Sequence, residues 1–463
     1  MNKYRSVTER IHDFRPVEMH PESDWLHAEL KHCQDCGIPF CHACGCPLLN
    51  AIPEINAAAL AGRWGSALSR LLSTSPFPEF TARVCPALCE GSCVQGLHGE
   101  AVPCRHVEFA VIEHGFANRL IRPRPPKQRL QTHIAIIGSG PAGLAAAWSL
   151  NQAGLRVTVY EKDARPGGFL RYGIPDFKLE KEVINRRVAL LEEEGVIFEC
   201  NVAAGEDISG RFLQNRYQAV ILACGARQKR DLAIAGRSLA GIYFATDYLS
   251  AQNRALAGES LLSDAYSAAG KRVIVIGGGD TGSDCMGTAW RQGAASVCQL
   301  EILPKPPKTR APENPWPEWP RVLRSSSSHE EGGERRWSVT TNEFFPAQDD
   351  SVRVGGVRCA EVQWINKDGR LSPVPVENSV FTLPADLILL AMGFTGVEKS
   401  ALLPGLGLEL DATGSLPCDA SGRLPANGVY VCGDAAQGPS LVVRAIADGV
   451  KVADILMRDL SIF

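Results

Sequence analysis

Apolar residues in this chain gather into short runs that end on glycine, and one such unit occurs twice. The run 133–137, His-Ile-Ala-Ile-Ile, stops at Gly138; a Gly-x-Gly-x-x-Gly turn continues through Gly140 and Gly143, and an alanine-rich stretch runs to Leu150 and closes at Gly154. A five-residue apolar run bounded by turn residues predicts a buried strand, and the alanine-rich stretch predicts a helix. A second strand at 157–161 ends in Glu161. The unit recurs at 271–282, where a strand runs into Gly277-Gly278-Gly279-Asp280-Thr281-Gly282, a helix follows, and the next strand is 296–300. Further apolar strands are predicted at 220–223, 387–391 and 428–432, the last ending in Gly433-Asp434 ahead of a helical stretch at 441–456. Strands alternating with helices predict an α/β fold with two Rossmann-like parallel sheets. The strand at 220–223 is expected to close the first fold, and that at 387–391 to re-enter it after the second fold has been inserted.

These turns carry chemistry. Glycines at the three fixed positions permit a tight turn and close backbone approach to a diphosphate, which the amides at the helix start stabilise. Glu161, 23 positions after Gly138, is placed to hold a ribose hydroxyl. The Gly167-Gly168 doublet lies where flavoproteins bring a loop toward the flavin, and Asp434 is placed to accept from a ribityl chain, so FAD is expected in the first fold. A nicotinamide dinucleotide is expected in the second, at Gly277, Gly279, Asp280, Thr281 and Gly282, because a flavin needs a hydride donor. Glu301 favours NADH, whereas Arg291, Lys305, Lys308 and Arg310 are candidate partners for the 2′-phosphate of NADPH; the choice stays open at this point. Hydride transfer needs orientation and exclusion of water more than a proton donor, so no catalytic His or Glu is expected.

Cysteine is unevenly distributed. Nine of the 16 cysteines fall from Cys33 to Cys104, eight of them in the segments Cys33-Gln-Asp-Cys36-Gly-Ile-Pro-Phe-Cys41-His-Ala-Cys44-Gly-Cys46-Pro47 and Cys85-Pro-Ala-Leu-Cys89-Glu-Gly-Ser-Cys93. This is metal-ligand spacing, suited to cubane iron-sulfur clusters, whose last ligand is often a Cys followed by Pro as in Cys46-Pro47, with zinc as the alternative. A flavin that passes single electrons needs redox partners, and zinc has no redox chemistry, which favours iron and sulfur.

The formal charge of −3 over 463 residues removes the electrostatic case for a nucleic-acid binder, and no apolar run approaches the roughly 18 residues of a membrane span. The first 16 residues are charged throughout and lack an apolar core, so a cytoplasmic protein is expected. The basic, proline-rich segment 121–131 reads as a connector. The stretch 304–320, with seven prolines plus Trp316 and Trp319, excludes a regular helix or central strand and predicts an ordered loop: a rigid surface excursion, a lid over the nucleotide or a docking surface. No chemistry is assigned to the polar segment 325–336.

Over essentially its full length the chain resembles the small (beta) subunit family of glutamate synthase. The resemblance rests on Cys-x-x-Cys-Gly-Ile-Pro-Phe-Cys-His at 33–42, Phe-Pro-Glu-Phe-Thr at 77–81, Val-Cys-Pro-Ala-Leu-Cys-Glu-Gly-Ser-Cys at 84–93, and Arg-Tyr-Gly-Ile-Pro-Asp-Phe-Lys-Leu-Glu-Lys at 171–181. It continues through 277–284, Asn-Pro-Trp-Pro at 314–317 and Cys-Gly-Asp at 432–434. It implies a helical iron-sulfur domain (1–130), a discontinuous FAD domain (131–245 and 380–463) and an NAD(P)H domain (246–379), the latter two of glutathione- and adrenodoxin-reductase type. It also implies two [4Fe-4S] clusters, one on Cys33, Cys36, Cys41 and Cys93, the other on Cys46, Cys85, Cys89 and Glu108. Electrons from NADPH or NADH would pass to a large (alpha) amidotransferase subunit in a hetero-oligomer that makes glutamate from glutamine and 2-oxoglutarate. The chain departs from the family at three places: Cys44 competes with Cys46, Cys104 stands four residues before Glu108 as an extra thiol, and Cys224 replaces a frequent threonine. Two rival readings remain: the same module serving a transhydrogenase or pyrimidine reductase, and a zinc-stabilised nucleotide sensor without turnover.

Overall fold

The structure is a computed structural model that describes residues 4–367 and 370–462. The first quarter of the chain is helical. Helix Trp64–Leu72 shows why: Trp64, Ala67, Leu68 and Leu71 recur at the spacing of one helical face, and the last three are buried. That face meets helices Ser23–Leu30, Ile52–Leu60 and Cys104–Ala117 around Leu26, Leu30, Ile55, Val107 and Val111. The cysteine segments between these helices hold little regular structure, only a π turn at Cys41–Gly45 and a short helix at Leu88–Gly91.

Two five-stranded parallel sheets follow. The first runs in the order Val429–Val431, Ala219–Leu222, His133–Ile137, Arg156–Glu161, Ile197–Cys200. The second runs Ile242–Phe244, Leu387–Leu390, Arg272–Ile276, Ser296–Leu300, Glu334–Arg336. Strands Ala219–Leu222 and Leu387–Leu390 are buried at every position, because helices or further strands cover both faces of a parallel sheet.

One strand lies in the other sheet from the one expected. Leu387–Leu390 pairs with Arg272–Ile276 and Ile242–Phe244, so it completes the second fold rather than re-entering the first. Boundaries at 245 and 380 therefore cut through the second sheet. A Leu-Ile-Leu-Leu run suits the centre of either sheet, and nothing in its own pattern distinguishes them. The chain rejoins the first sheet at Val429–Val431, beside Ala219–Leu222. An antiparallel group, Val339–Pro346, Val354–Lys367, Arg370–Pro375 and Phe381–Pro384, was not foreseen. Its Val339, Phe344, Val354 and Val357 pack on Ile274, Ile276 and Ile388 of the second sheet.

The C-terminal helix, Val442–Asp459, lies along Pro141–Gln152, the helix that opens at the first glycine turn. Gly449 permits this approach, since a methyl there would collide with the Ala142 carbonyl. The helical region is fastened to the first fold by ion pairs. Glu79 and Arg187 meet at 2.5 Å with side chains 0% and 6% exposed, and Glu113 pairs with both Arg83 and Arg186. It is fastened to the second fold by Arg10, which donates to Glu331 at 2.8 Å and to the Ser327 carbonyl at 2.7 Å. The proline-rich loop is a further fastening. Trp316 lies against Phe40 with ring centroids 4.6 Å apart, Arg310 donates to the Gly91 carbonyl at 2.8 Å, and the Ser92 hydroxyl donates to the Pro317 carbonyl at 2.8 Å. The loop is a pinned excursion, Trp316 on Phe40 and Trp319 on Gly91, that straps the second fold to the cysteine segments.

Candidate functional site

A cleft of about 570 Å³ runs between the two folds, lined by Gly138, Ser139, Gly140, Glu161, Gly168, Cys224 and Asp434 from one side and by Thr246, Asp280, Thr281 and Asp284 from the other. The first glycine turn is shaped by contacts that only glycine allows. Gly138 has φ +103°, and a methyl there would lie 2.5 Å from the Ala223 carbonyl; one on Gly143 would strike the Gly138 carbonyl. Gly140 differs. It lies on the cleft and a methyl there would meet nothing within 4 Å, which leaves a cradle of open space at the start of the helix. The Gly140 backbone conformation is ordinary, so what glycine contributes here is room for a ligand.

Glu161 is buried at the end of its strand. It accepts from the Ser139 amide at 3.1 Å and the Ser139 hydroxyl at 2.5 Å with one oxygen, and from the Asp163 amide at 2.9 Å with the other. Ser139 in turn accepts from the Gly167 amide at 2.9 Å, and Gly168 packs on Gly140, so the glycine doublet is held directly over the turn. Asp434 accepts from the Ser440 amide at 3.1 Å and hydroxyl at 2.7 Å, and burial raises its pKa. Sequence reasoning missed the residue that sets this turn: buried Asp448 accepts from the Gly433 amide at 2.7 Å and from Gln437 at 2.6 Å. Its one signal was an acid on the apolar face of a helix.

The second turn repeats the plan. Gly277 has φ +122°, Gly282 sits on the Gly277 carbonyl, and Gly279, like Gly140, opens on empty space. Glu301 accepts from the Gly278 amide at 2.6 Å and the Leu303 amide at 2.8 Å, the pattern of Glu161. Gln299 donates to the Gly277 carbonyl at 2.9 Å and is itself held by His329 at 3.0 Å. Asp280 is exposed at the helix start, and Asp284, one turn on, forms an ion pair with Lys178 of the first fold across the cleft floor.

Arg291 requires correction as a cofactor-binding residue. Its side chain is 0% exposed, paired to Glu331 at 2.6 Å, bonded to the Gly287 carbonyl and stacked on Phe177. A guanidinium so enclosed cannot reach a nucleotide phosphate. Arg310 is likewise committed to the strap, whereas Lys305 and Lys308 are exposed.

The cysteines surround two cavities. One is lined by Cys33, Cys36, Cys41 and Cys93, the other by Cys46, Cys85, Cys89 and Glu108; Ile52, Asn56 and Cys104 line both. Cys44 is exposed on the π turn, and Cys46 takes the cavity position. The Asn56 amide donates to the Cys33 sulfur at 3.4 Å and the Asn50 backbone to the Cys46 sulfur at 3.5 Å. Burial pushes the thiols of Cys41, Cys46 and Cys85 up to about 12 and the Glu108 carboxyl up to about 7, with Thr81 as the latter's hydrogen-bond donor. Soft sulfur donors converging on apolar cavities, with a carboxyl oxygen beside three of them, form a set that a cationic iron-sulfur group fits. Among the described residues, no three His, Cys, Asp or Glu side chains gather tightly enough to hold a single metal ion.

The inner cavity adjoins the cleft. Val443 lines the cavity and its neighbour Val442 lines the cleft, both at the start of helix Val442–Asp459.

Residues 132–449 match the family model described as pyridine nucleotide-disulphide oxidoreductase, and residues 10–120 match the one described as dihydropyrimidine dehydrogenase domain II, 4Fe-4S cluster. The glutamate synthase [NADPH] small chain of Mycobacterium tuberculosis is 45% identical over 97% of this chain and 92% of its own length. The glutamate synthase [NADH] of Schizosaccharomyces pombe is 42% identical over 97% of this chain, which corresponds to 22% of that longer protein. Among solved structures, Mycobacterium tuberculosis FprA in complex with NADPH superposes with a TM-score of 0.57 at 22% identity, covering 73% of this chain and 85% of its own. Matching a pyridine nucleotide oxidoreductase model, a 4Fe-4S model and a glutamate synthase small chain along nearly its whole length, the chain belongs to the glutamate synthase small-chain family.

Proposed function

We propose that the chain is the NAD(P)H-oxidising electron-input subunit of a glutamate synthase, and that it supplies a large amidotransferase subunit with electrons for making glutamate from glutamine and 2-oxoglutarate. The observation that carries this reading is spatial: the cysteine cavity of Cys46, Cys85 and Cys89 adjoins the cleft through Val442-Val443 and shares Ile52, Asn56 and Cys104 with the other cysteine cavity. That this chain matches 22% of the longer glutamate synthase [NADH] of Schizosaccharomyces pombe and 92% of the glutamate synthase small chain of Mycobacterium tuberculosis supports a large partner.

In this reading Gly138, Gly140, Gly143, Glu161, Gly168, Gly433 and Asp434 hold FAD, and Gly277, Gly279, Thr281 and Gly282 hold the nicotinamide dinucleotide, with Asp280 lining the same turn. Cys33, Cys36, Cys41 and Cys93 hold one [4Fe-4S] cluster, and Cys46, Cys85, Cys89 and Glu108 a second. FAD held there would supply hydride acceptance and one-electron release, and clusters held by the cysteines would supply one-electron carriage. The protein's own contribution is orientation and dryness. The Lys178–Asp284 pair closes the cleft floor between the folds, Asp448 fixes the Gly433-Asp434 turn, and the valine wall keeps water from the short path between cleft and cavity. The same reading places the second fold from Ile242 to Leu390 and the chain in the cytoplasm, in keeping with 16 unpaired cysteines.

The test is anaerobic co-purification with candidate large subunits, followed by assay of glutamate formation with NADPH and with NADH. The reading requires flavin bleaching by one nicotinamide, about 8 iron per chain and glutamate formation only in the complex. A flavin that neither nicotinamide reduces, or a colourless zinc protein, rejects it.

A further inference from the structure

We infer that the second fold is built for a dinucleotide whose adenosine ribose carries a free 2′-hydroxyl, and that Glu301 is the residue that selects NADH over NADPH. This selection rests on the electron-input reading above and narrows it from either nicotinamide to one.

Glu301 follows strand Ser296–Leu300, 24 positions after Gly277, where a dinucleotide fold places the group that meets the adenosine ribose. Both of its oxygens are held by backbone, one by the Gly278 amide at 2.6 Å and the other by the Leu303 amide at 2.8 Å, and it packs so closely on the turn that a methyl on Gly278 would collide with it. A carboxylate fixed in this way does not swing aside for a phosphate. It is only half-buried, so a ribose can reach it. The first fold serves as an internal control. Glu161 accepts from the amides of Ser139 and Asp163, the same two positions relative to turn and strand end. In the proposed reading that fold takes FAD, whose adenosine ribose has no 2′-phosphate, so the matching arrangement in the second fold suits a free diol.

The cations near Glu301 do not offset it. Arg291 is enclosed and Arg310 is tied to the strap. Arg336, opposite Leu300 in the sheet, makes a double contact with Glu334 at 2.7 and 3.1 Å. Lys305 and Arg335 both lie over the Trp337 ring, 4.9 and 4.8 Å from its centroid, and Arg335 donates to the Arg324 carbonyl at 3.2 Å. A 2′-phosphate would therefore meet a fixed carboxylate in place of the open guanidinium fork that recognises phosphate. The 2′-hydroxyl of NADH instead donates to that carboxylate.

The test uses purified, flavin-loaded protein under anaerobic conditions. Stopped flow follows flavin bleaching by NADH and by NADPH, and calorimetry measures binding of ADP-ribose and 2′-phospho-ADP-ribose, which carry the ribose difference without the nicotinamide. ADP-ribose should bind about a hundredfold tighter than its 2′-phosphate, and NADH should bleach the flavin at the lower concentration. Glu301→Gln, which keeps the size and removes the charge, should narrow the gap about tenfold by weakening the first fragment and tightening the second. Lys305→Ala, Lys308→Ala and Arg335→Ala should leave the gap where it is. An equal or reversed preference in the wild type, or no binding of either fragment, overturns the inference; so does a gap that Glu301→Gln leaves unchanged or that widens in any of the cation variants. Should Glu301→Gln fail to fold, the wild-type ratio and the cation variants decide. A flavin that neither nucleotide bleaches, in protein that still binds ADP-ribose, rejects the electron-input reading instead.

Discussion

The two glycine-turn folds share a skeleton and differ in what surrounds it. In each, an acid at a strand end accepts from the amide of the second turn residue and from an amide two residues beyond itself, as Glu161 does from Ser139 and Asp163, and Glu301 from Gly278 and Leu303. In each, the middle glycine opens on empty space. The helix after the first turn begins Pro141-Ala142, carries no acid and is clamped by the apolar C-terminal helix. The helix after the second begins with exposed Asp280, buries Asp284 and Thr288, and packs on the polar loop around Ser326, Ser328 and His329. A cofactor that stays bound suits the first surroundings. A nucleotide that must leave after each turnover suits the second, where a carboxylate competes for the positive end of the helix.

The comparison breaks most visibly at the middle glycines. A methyl at Gly140 meets no protein atom, so Gly140→Ala should fold normally while filling the space of a diphosphate oxygen. Losing two amide bonds to that charged group, each about 1.5–3 kcal/mol, should weaken FAD by roughly a thousandfold and give colourless protein with unchanged circular dichroism. Next in size is Arg291→Ala. Removing one partner of this buried pair should cost about 3 kcal/mol of stability in urea denaturation, since Glu331 keeps only Arg10. The ratio of KM for NADPH to that for NADH should not move; a shift would return Arg291 to the nucleotide site. Gly279→Ala should retain its flavin and raise the nicotinamide KM about tenfold, roughly 1.4 kcal/mol, because the exposed second turn lets the nucleotide shift. Flavin loss there would erase the distinction between the folds.

The sequence made the nucleotide turns legible because their function lies in backbone conformation, and glycine spacing records backbone conformation directly. The cysteine spacing marked the region as a candidate metal site, and the structure lines one cavity with Cys33, Cys36, Cys41 and Cys93 and another with Cys46, Cys85, Cys89 and Glu108, Cys104 bordering both. What stayed hidden depends on partners far along the chain. Leu387–Leu390 carries no mark of which sheet it joins, and Arg291 looked available because Glu331 and Phe177, which enclose it, are 40 and 114 residues away. The strap at 304–320 showed its stiffness in its prolines and concealed its contact with Phe40 and Gly91 for the same reason.

A smaller effect separates the folds by pH. His329 holds Gln299, which holds the Gly277 carbonyl, and the first turn has no imidazole in this role. Burial, with Arg335 and Lys178 nearby, lowers the His329 pKa from 6.5 to about 4. Between those values the unfolded chain takes up a proton that the folded chain refuses, so stability falls as pH drops through the window and is untouched above it. Thermal denaturation should show the nicotinamide fold weakening between pH 6.5 and about 4. In His329→Gln that dependence should flatten.

The smallest expected change bears most directly on why one nucleotide stays and the other leaves. Asp280 sits at the first position of its helix and is exposed on the cleft, where in the proposed reading its charge lies beside the nucleotide's diphosphate. A unit charge at a helix start is worth about 0.3–1 kcal/mol, so Asp280→Asn should lower the nicotinamide KM about two- to fivefold, leave flavin content unchanged and slow product release. The gain should shrink at high salt, because the repulsion it removes is screened. A KM that rises instead would make Asp280 a ligand of the nucleotide, and the weaker grip of the second fold would then have to come from its polar packing alone.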